Sequence, residues 1–242
     1  MPLPKIATPT YELELPSSGE SIEYRPFLVK EEKLLVLAME SEDQKSITRA
    51  IKEVLKACIK TKSVKVEKLP TFDIEYLFLN IRGKSVGEEV EVVVTCPDDE
   101  VTTVDVTIPI DEIRVEKNTD HNDTIKLDDE LTMKMRYPSL NQFIEANFEI
   151  GDTNKGTQLQ QSFDLIAACI DTIYSDEEAW PASESSKKEL NEFLEQLSSS
   201  QFQEIEQFFE TMPKLVHEVS ITNPKTKKKS TVTLEGLSSF FV

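Results

Sequence analysis

Residues 212–242 read Met212-Pro-Lys-Leu-Val-His-Glu-Val-Ser-Ile-Thr-Asn-Pro-Lys-Thr-Lys-Lys-Lys-Ser-Thr-Val-Thr-Leu-Glu-Gly-Leu-Ser-Ser-Phe-Phe-Val242, and this stretch decides the fold class. Leu215 to Ile221 and Thr231 to Glu235 read as two strands, joined by the lysine-rich turn Lys225-Thr-Lys-Lys-Lys229. Just upstream, Leu190, Phe193, Leu194 and Leu197, then Phe202, Ile205, Phe208, Phe209 and Met212, recur at three and four residues. That spacing predicts two amphipathic helices separated by Ser198-Ser-Ser200. Helices closed by a hairpin give an α+β ending.

The pattern continues outward from there. Leu159, Phe163, Ile166, Ala167, Ile170, Ile173 and Tyr174 keep the helical spacing and predict one helix containing Cys169. Ser175 to Ser186, with Trp180-Pro181 inside it, reads as a loop. Leu140, Phe143, Ile144 and Phe148 predict a short amphipathic helix, and Gly151 to Gly156 a flexible turn.

In the first half, Tyr11, Leu13 and Leu15 alternate with glutamates, Ser17-Ser-Gly19 supplies a turn, and Ile22 and Tyr24 resume the period of two, which predicts a hairpin. Helices follow around Leu34 to Ala38, from near Ser46 to Ile59, and over Thr71 to Lys84, the last apolar on more than one face and therefore central. Glu89 to Thr95 and Val101 to Ile108 predict a second hairpin. Ile110 to Val115, Thr124 to Leu127 and Leu131 to Arg136 add strand-like pieces to a small antiparallel sheet in mid-chain. The expected architecture is α+β in two parts: residues 1–137 as a hairpin, helices and antiparallel sheet, and residues 138–242 as a helical part capped by a β-hairpin.

Composition bounds the function. At 242 residues, 38% hydrophobic and 30% charged, the chain is long enough for a sizeable core and too balanced for global disorder. No apolar run approaches the roughly 18 residues of a membrane span, and the opening residues carry no export signal, so a soluble protein folding in a cytoplasm is expected. Three distant cysteines, Cys58, Cys96 and Cys169, fit reduced structural thiols. A formal charge of −18 disfavours nucleic acid and anionic membranes, and points to basic or apolar protein surfaces as partners. The charge is polarised: Asp176 to Glu210 holds ten acidic residues and two lysines, whereas Lys214 to Val242 holds five lysines and two glutamates.

Catalytic signals are sparse. Only His121 and His217 exist, one in a polar loop and one within a strand, and neither a nucleophile elbow nor a Cys-His signature occurs. Asp98-Asp99 and Asp128-Asp129-Glu130 are adjacent acids without a calcium-loop pattern. Six dispersed glycines form no phosphate-binding loop. Both hairpins, at Cys96-Pro97 and at Asn223-Pro224-Lys225, have the outline of a zinc-ribbon knuckle but lack the C-x2-C that closes a tetrahedral site. No catalytic residue, metal or cofactor is therefore expected. Lys225, Lys227, Lys228 and Lys229 lack interleaved aromatics and read as a solvated or protein-docking tip. The apolar tail with Phe240 and Phe241 reads as packing on its own domain or insertion into a partner.

Several blocks resemble the baseplate proteins of T4-like contractile-tailed phages, in particular those called baseplate hub subunits or hub assembly proteins, including cyanophage forms. They are Leu3-Pro-Lys-Ile-Ala-Thr-Pro-Thr-Tyr-Glu-Leu-Glu-Leu-Pro-Ser-Ser-Gly19, Tyr24-Arg-Pro-Phe-Leu-Val-Lys-Glu-Glu-Lys33 and Phe72-Asp-Ile-Glu-Tyr-Leu-Phe-Leu-Asn-Ile-Arg82. Ser199-Ser-Gln-Phe-Gln-Glu-Ile-Glu-Gln-Phe-Phe209, Met212 to His217 and Leu234 to Phe241 complete the set. The resemblance implies a non-enzymatic protein made late in infection, part of a hetero-oligomeric assembly with other baseplate or tail proteins. It would reside in the virion, or in the host cytoplasm during assembly. In that setting the lysine tip and Phe240-Phe241 are the expected contacts. A general intracellular adaptor or assembly chaperone not retained in the particle is the alternative, and a hydrolase using acidic clusters a distant third.

Overall fold

The structure is a computed structural model and describes residues 6–41, 43–139 and 158–240. The helix expected over Leu140 to Phe148, the turn at Gly151 to Gly156, and Phe241 lie outside the described residues. The chain forms two compact units. One gathers residues 1–66, 72–116 and 214–242, the other residues 67–71 and 117–213. This division differs from the expected cut after residue 137, because the C-terminal hairpin joins the N-terminal segments and not the helices that precede it.

In the first unit, β1 (Tyr11–Glu14) and β2 (Ser21–Tyr24) pair antiparallel with Leu13 opposite Ile22. Their turn needs Gly19, whose φ of 71° is costly for a residue with a Cβ. Asp73, fully buried at the start of α3 (Thr71–Ser85), holds this turn by accepting from the Ser17 amide at 3.0 Å and from the Ser17 hydroxyl. α1 (Val29–Glu40) packs on α2 (Gln44–Cys58), and the Arg25 amide donates to the Cys58 carbonyl at 3.0 Å, tying α2 to β2. The buried Glu31 carboxylate is paired with Arg25 at 2.9 Å and accepts the Leu28 amide, and these bonds hold its pKa down against the opposing effect of burial.

β3 (Glu89–Thr95) shows why a strand forms: Val90, Val92 and Val94 are buried while Glu89, Glu91, Val93 and Thr95 face out. It pairs with β4 (Thr103–Pro109) from Glu89 opposite Pro109 to Thr95 opposite Thr103. Ile110–Glu112 is a turn of 3₁₀ helix and not strand; Gly83 of α3 lies so close that a Cβ there would sit 3.1 Å from Ile110 Cδ1. The mid-chain sheet expected as one body is divided. β5 (Arg114–Glu116) leaves β4 and pairs instead with β10 (Lys214–Thr222), Leu215 opposite Val115. β10 pairs on its other edge with β11 (Lys229–Glu235), from Val216 opposite Glu235 to Thr222 opposite Lys229. Leu215, Val219, Ile221 and Leu234 thereby enter one core with Leu79, Val90, Val92, Val94, Ile108, Ile113 and Phe240.

In the second unit, β6 (Thr124–Lys126), β7 (Thr132–Met135), β8 (Ile170–Tyr174) and β9 (Ala179–Pro181) form an antiparallel sheet in that order. The helix expected to run through Tyr174 ends at Cys169 as α4 (Gln158–Cys169). Ile170, Thr172 and Ile173 are β-branched; Ile170 pairs with Met135 of β7, while Thr172 and Ile173 gain ladder partners on both edges, which outweighs the helical spacing. Trp180, read as loop, lies in β9 opposite Ile173. α5 (Lys187–Leu194) and α6 (Ser199–Thr211) start with capping boxes, Ser186 with Glu189 and Ser198 with Gln201. Their Leu190, Leu194, Ile205 and Phe208 pack with Met133, Met135, Ile166 and Ile170. The Phe-rich helices therefore fill a different core from the one under the C-terminal hairpin.

Phe240 is 1% exposed within the hairpin's core. Phe240→Ala is therefore expected to cost about 3–5 kcal/mol, read as a lowered urea midpoint for the first unit. An unchanged midpoint would contradict its burial.

Candidate protein-contact site

The lysine-rich turn is a fixed structure. Asn223, 1% exposed, accepts the amides of Lys225 at 2.8 Å and Thr226 at 3.2 Å on its side-chain oxygen, which folds the chain into an Asx turn. The Lys227 amide returns to the Asn223 carbonyl at 2.9 Å, and Lys227 takes a φ of 64°, a left-handed conformation uncommon for a non-glycine residue. The β3–β4 turn repeats this geometry. There the Glu100 amide returns to the Cys96 carbonyl at 2.9 Å, Glu100 has a φ of 56°, and Asp99 caps the turn by accepting from the Thr102 amide and hydroxyl at 2.9 and 2.6 Å.

The two turns are clasped. Asp98 accepts from Asn223 Nδ2 at 3.0 Å and from Thr226 Oγ1 at 2.5 Å, across 125 and 128 residues of sequence. The pair of knuckle outlines seen in the sequence is thus joined through one carboxylate, at the place where a zinc ribbon would join its knuckles through a metal. Cys96 is buried beside Asp98 and Asp99, and burial followed by these two carboxylates raises its thiol pKa. Among the described residues no group of three or more His, Cys, Asp or Glu is placed to hold a metal ion.

Hydrogen bonds from Thr226 and Asn223 hold the Asp98 carboxyl below its usual range, and those from Thr102 do the same for Asp99. A depressed carboxyl pKa stabilises the folded turn fully above the ordinary value, about 4, and that contribution is lost as the pH falls through the folded value. The clasp therefore contributes its full stability at neutral pH and loses that contribution as Asp98 is protonated in acid.

Lys225, Lys227, Lys228 and Lys229 are all exposed on this braced turn. Phe240 is not a partner to them: its ring points into the core, so the docking role expected for it gives way to packing. Sequence reading identified both turns but not their contact, since nothing local in either marks Asp98 as the acceptor for the other.

The remaining candidates are occupied in structural roles. His121 Nδ1 lies 2.9 Å from Thr211 Oγ1, and the ring stacks on Tyr137 and packs against Phe208. Thr211 Oγ1 donates to the Gln207 carbonyl, so Nδ1 carries the proton, and burial pushes the imidazole pKa down. Asp128 accepts the amides of Glu130 and Leu131, and Asp129 pairs with Lys126 at 3.0 Å. Cys58 and Cys169 are buried, and burial pushes their thiols up to about 11 and about 12. Thiols so shifted stay protonated and unreactive at neutral pH. Among the described residues no helix is long and apolar enough to cross a membrane.

The sequence profile of the family described as T4 bacteriophage base plate protein matches residues 8–242. The chain belongs to that family. No curated protein and no solved structure is significantly similar to it. For a T4-type base plate protein, membership supports a structural phage role in the virion tail and implies contacts with other tail or baseplate proteins. The first matched residues lie just before β1 and the last beyond Phe240, so the match takes in the segments of both units.

Removing the clasp acceptor should loosen the tip and little else. Asp98→Ala is expected to raise the rate of tryptic cleavage after Lys225 to Lys229 several-fold while the urea midpoint stays close to that of the parent protein. Unchanged cleavage would show that the turn holds itself without Asp98.

Proposed function

We propose that this base plate protein is a non-enzymatic structural or assembly component of the baseplate hub of a contractile tail, working through protein–protein contacts. The observation that carries this reading is the lysine tip: four exposed cations on a turn braced at both ends, on a chain whose net charge is −18. A preordered turn backbone lowers the conformational entropy lost on docking, and a basic tip on an acidic body orients the protein toward an acidic neighbour. The acidic residues of Asp176 to Glu210 keep the protein soluble and steer basic partners. The adjacent acids Asp98-Asp99 and Asp128-Asp129 are engaged in turns, the clasp and an ion pair, which supports the non-enzymatic reading.

Replacing Lys225, Lys227, Lys228 and Lys229 together by Glu is expected to abolish particle assembly. Circular dichroism and the urea midpoint should stay at parental values, because these side chains are exposed. Normal assembly by the charge-reversed protein would contradict the reading. Mass spectrometry of mature virions beside assembly intermediates then separates a retained subunit from an assembly chaperone.

A further inference from the structure

The outward face of α1 is apolar where a solvated helix would be polar. Positions 31, 35 and 38 share one face at spacings of four and three; Glu31 and Ala38 are buried and Leu35 is partly buried. Positions 29, 33, 36, 37 and 40 share the opposite face, where Val29 is 79%, Val36 48% and Leu37 54% exposed. Leu28, Leu34 and Met39 are exposed on its shoulders. Single exposed apolar residues are ordinary, but six large ones between Leu28 and Met39, with Val29, Val36 and Leu37 together on the outward face, are more than a solvated helix needs and mark a contact surface.

The charges on that face select the occupant. Lys33 and Glu40 are both exposed and flank Val36 and Leu37. They lie about 10 Å apart along the axis at the usual helical rise of about 1.5 Å per residue. A second α1 running antiparallel, with the two-fold axis between Val36 and Leu37, sets each Lys33 opposite the other copy's Glu40 and each Val36 against Leu37. A parallel copy would set Lys33 on Lys33 and Glu40 on Glu40. The face is therefore self-complementary only when the two helices run antiparallel, with the two-fold axis perpendicular to them, and two-fold dimers are the commonest soluble oligomers.

We propose that α1 is the contact of a homodimer in which two copies of this helix pack antiparallel, held by Val29, Val36, Leu37 and Met39 and oriented by reciprocal Lys33–Glu40 pairs. One helix per copy gives an interface near the lower end of stable contacts, about 1,200 Å² in total, so the dimer is weak and concentration-dependent. The surface is separate from the lysine tip, and its failure would leave the hub reading untouched.

Sedimentation velocity of the full chain across the micromolar range tests this. The parent protein is expected to pass from monomer to dimer, and the double substitution Val36→Asp with Leu37→Asp to stay monomeric at every concentration. Lys33→Glu is expected to weaken the dimer about tenfold, and Lys33→Glu combined with Glu40→Lys to restore it. All these positions are exposed, and circular dichroism checks that the fold is kept. A parent protein that stays monomeric, as it would if another tail protein covered α1, overturns the proposal. So does a dimer that survives Val36→Asp with Leu37→Asp, or a charge swap that fails to restore association.

Discussion

Leu215 opposite Val115 is the pairing on which the first unit depends. It brings strands about 100 residues apart in sequence into one sheet, and so admits Leu215, Val219, Ile221, Leu234 and Phe240 to a core that β3, β4 and α3 cannot complete alone. The neighbouring pair in the ladder is Glu116 with Lys214, which are also the last and first residues of the first unit on either side of the excursion through Lys117–Pro213. Because the chain leaves and returns at paired positions, a large second unit can be accommodated between them. Closing a long loop costs only about 0.6 kcal/mol more for each doubling of its length.

The same return of the chain creates the lysine tip. β10 and β11 continue past the sheet into the Asn223–Lys228 turn, and β3 and β4 continue into the Cys96–Thr102 turn. Both strand pairs share a core, so their turns meet, and Asp98 joins them. Three neutral or singly charged side chains thus achieve what a shared metal achieves in a zinc ribbon, and the lysines contribute backbone groups to the turn while their side chains stay exposed. Bracing and exposed charge are divided between adjacent residues of one turn: the Asn223 and Thr226 side chains bond Asp98, while the side chains of Lys225, Lys227, Lys228 and Lys229 face water.

Much of this was legible in the sequence. Alternation at Tyr11–Leu15, Glu89–Thr95 and Leu215–Ile221 gave strands, and three-four spacing at Leu190–Met212 gave helices, because in each case one face alone is buried. Ile170–Tyr174 was not legible, since its apolar residues at 170, 173 and 174 keep the helical spacing and only the pairing with β7, shifted in register at Lys134/Met135, and with β9 makes it a strand. The partner of β5 was hidden for a related reason: a three-residue strand carries no register information, and its mate lies at the far end of the chain. Phe240 looked like a docking residue because a terminal apolar pair reads alike whether it folds inward or reaches out. The four lysines, by contrast, were identifiable at once, as exposed charge clusters need no tertiary context to be seen.

Hydrogen exchange of the intact protein, followed by mass spectrometry, tests the shared core most directly. If the C-terminal hairpin completes the first unit, amides of β10 and β11 will exchange with the same opening free energy as those of β3 and β4, in one cooperative step. Exchange of Lys214–Glu235 at much lower free energy, with Glu89–Pro109 still protected, would show the hairpin to be an appendage and would contradict the pairing of Leu215 with Val115 as the contact that closes the fold.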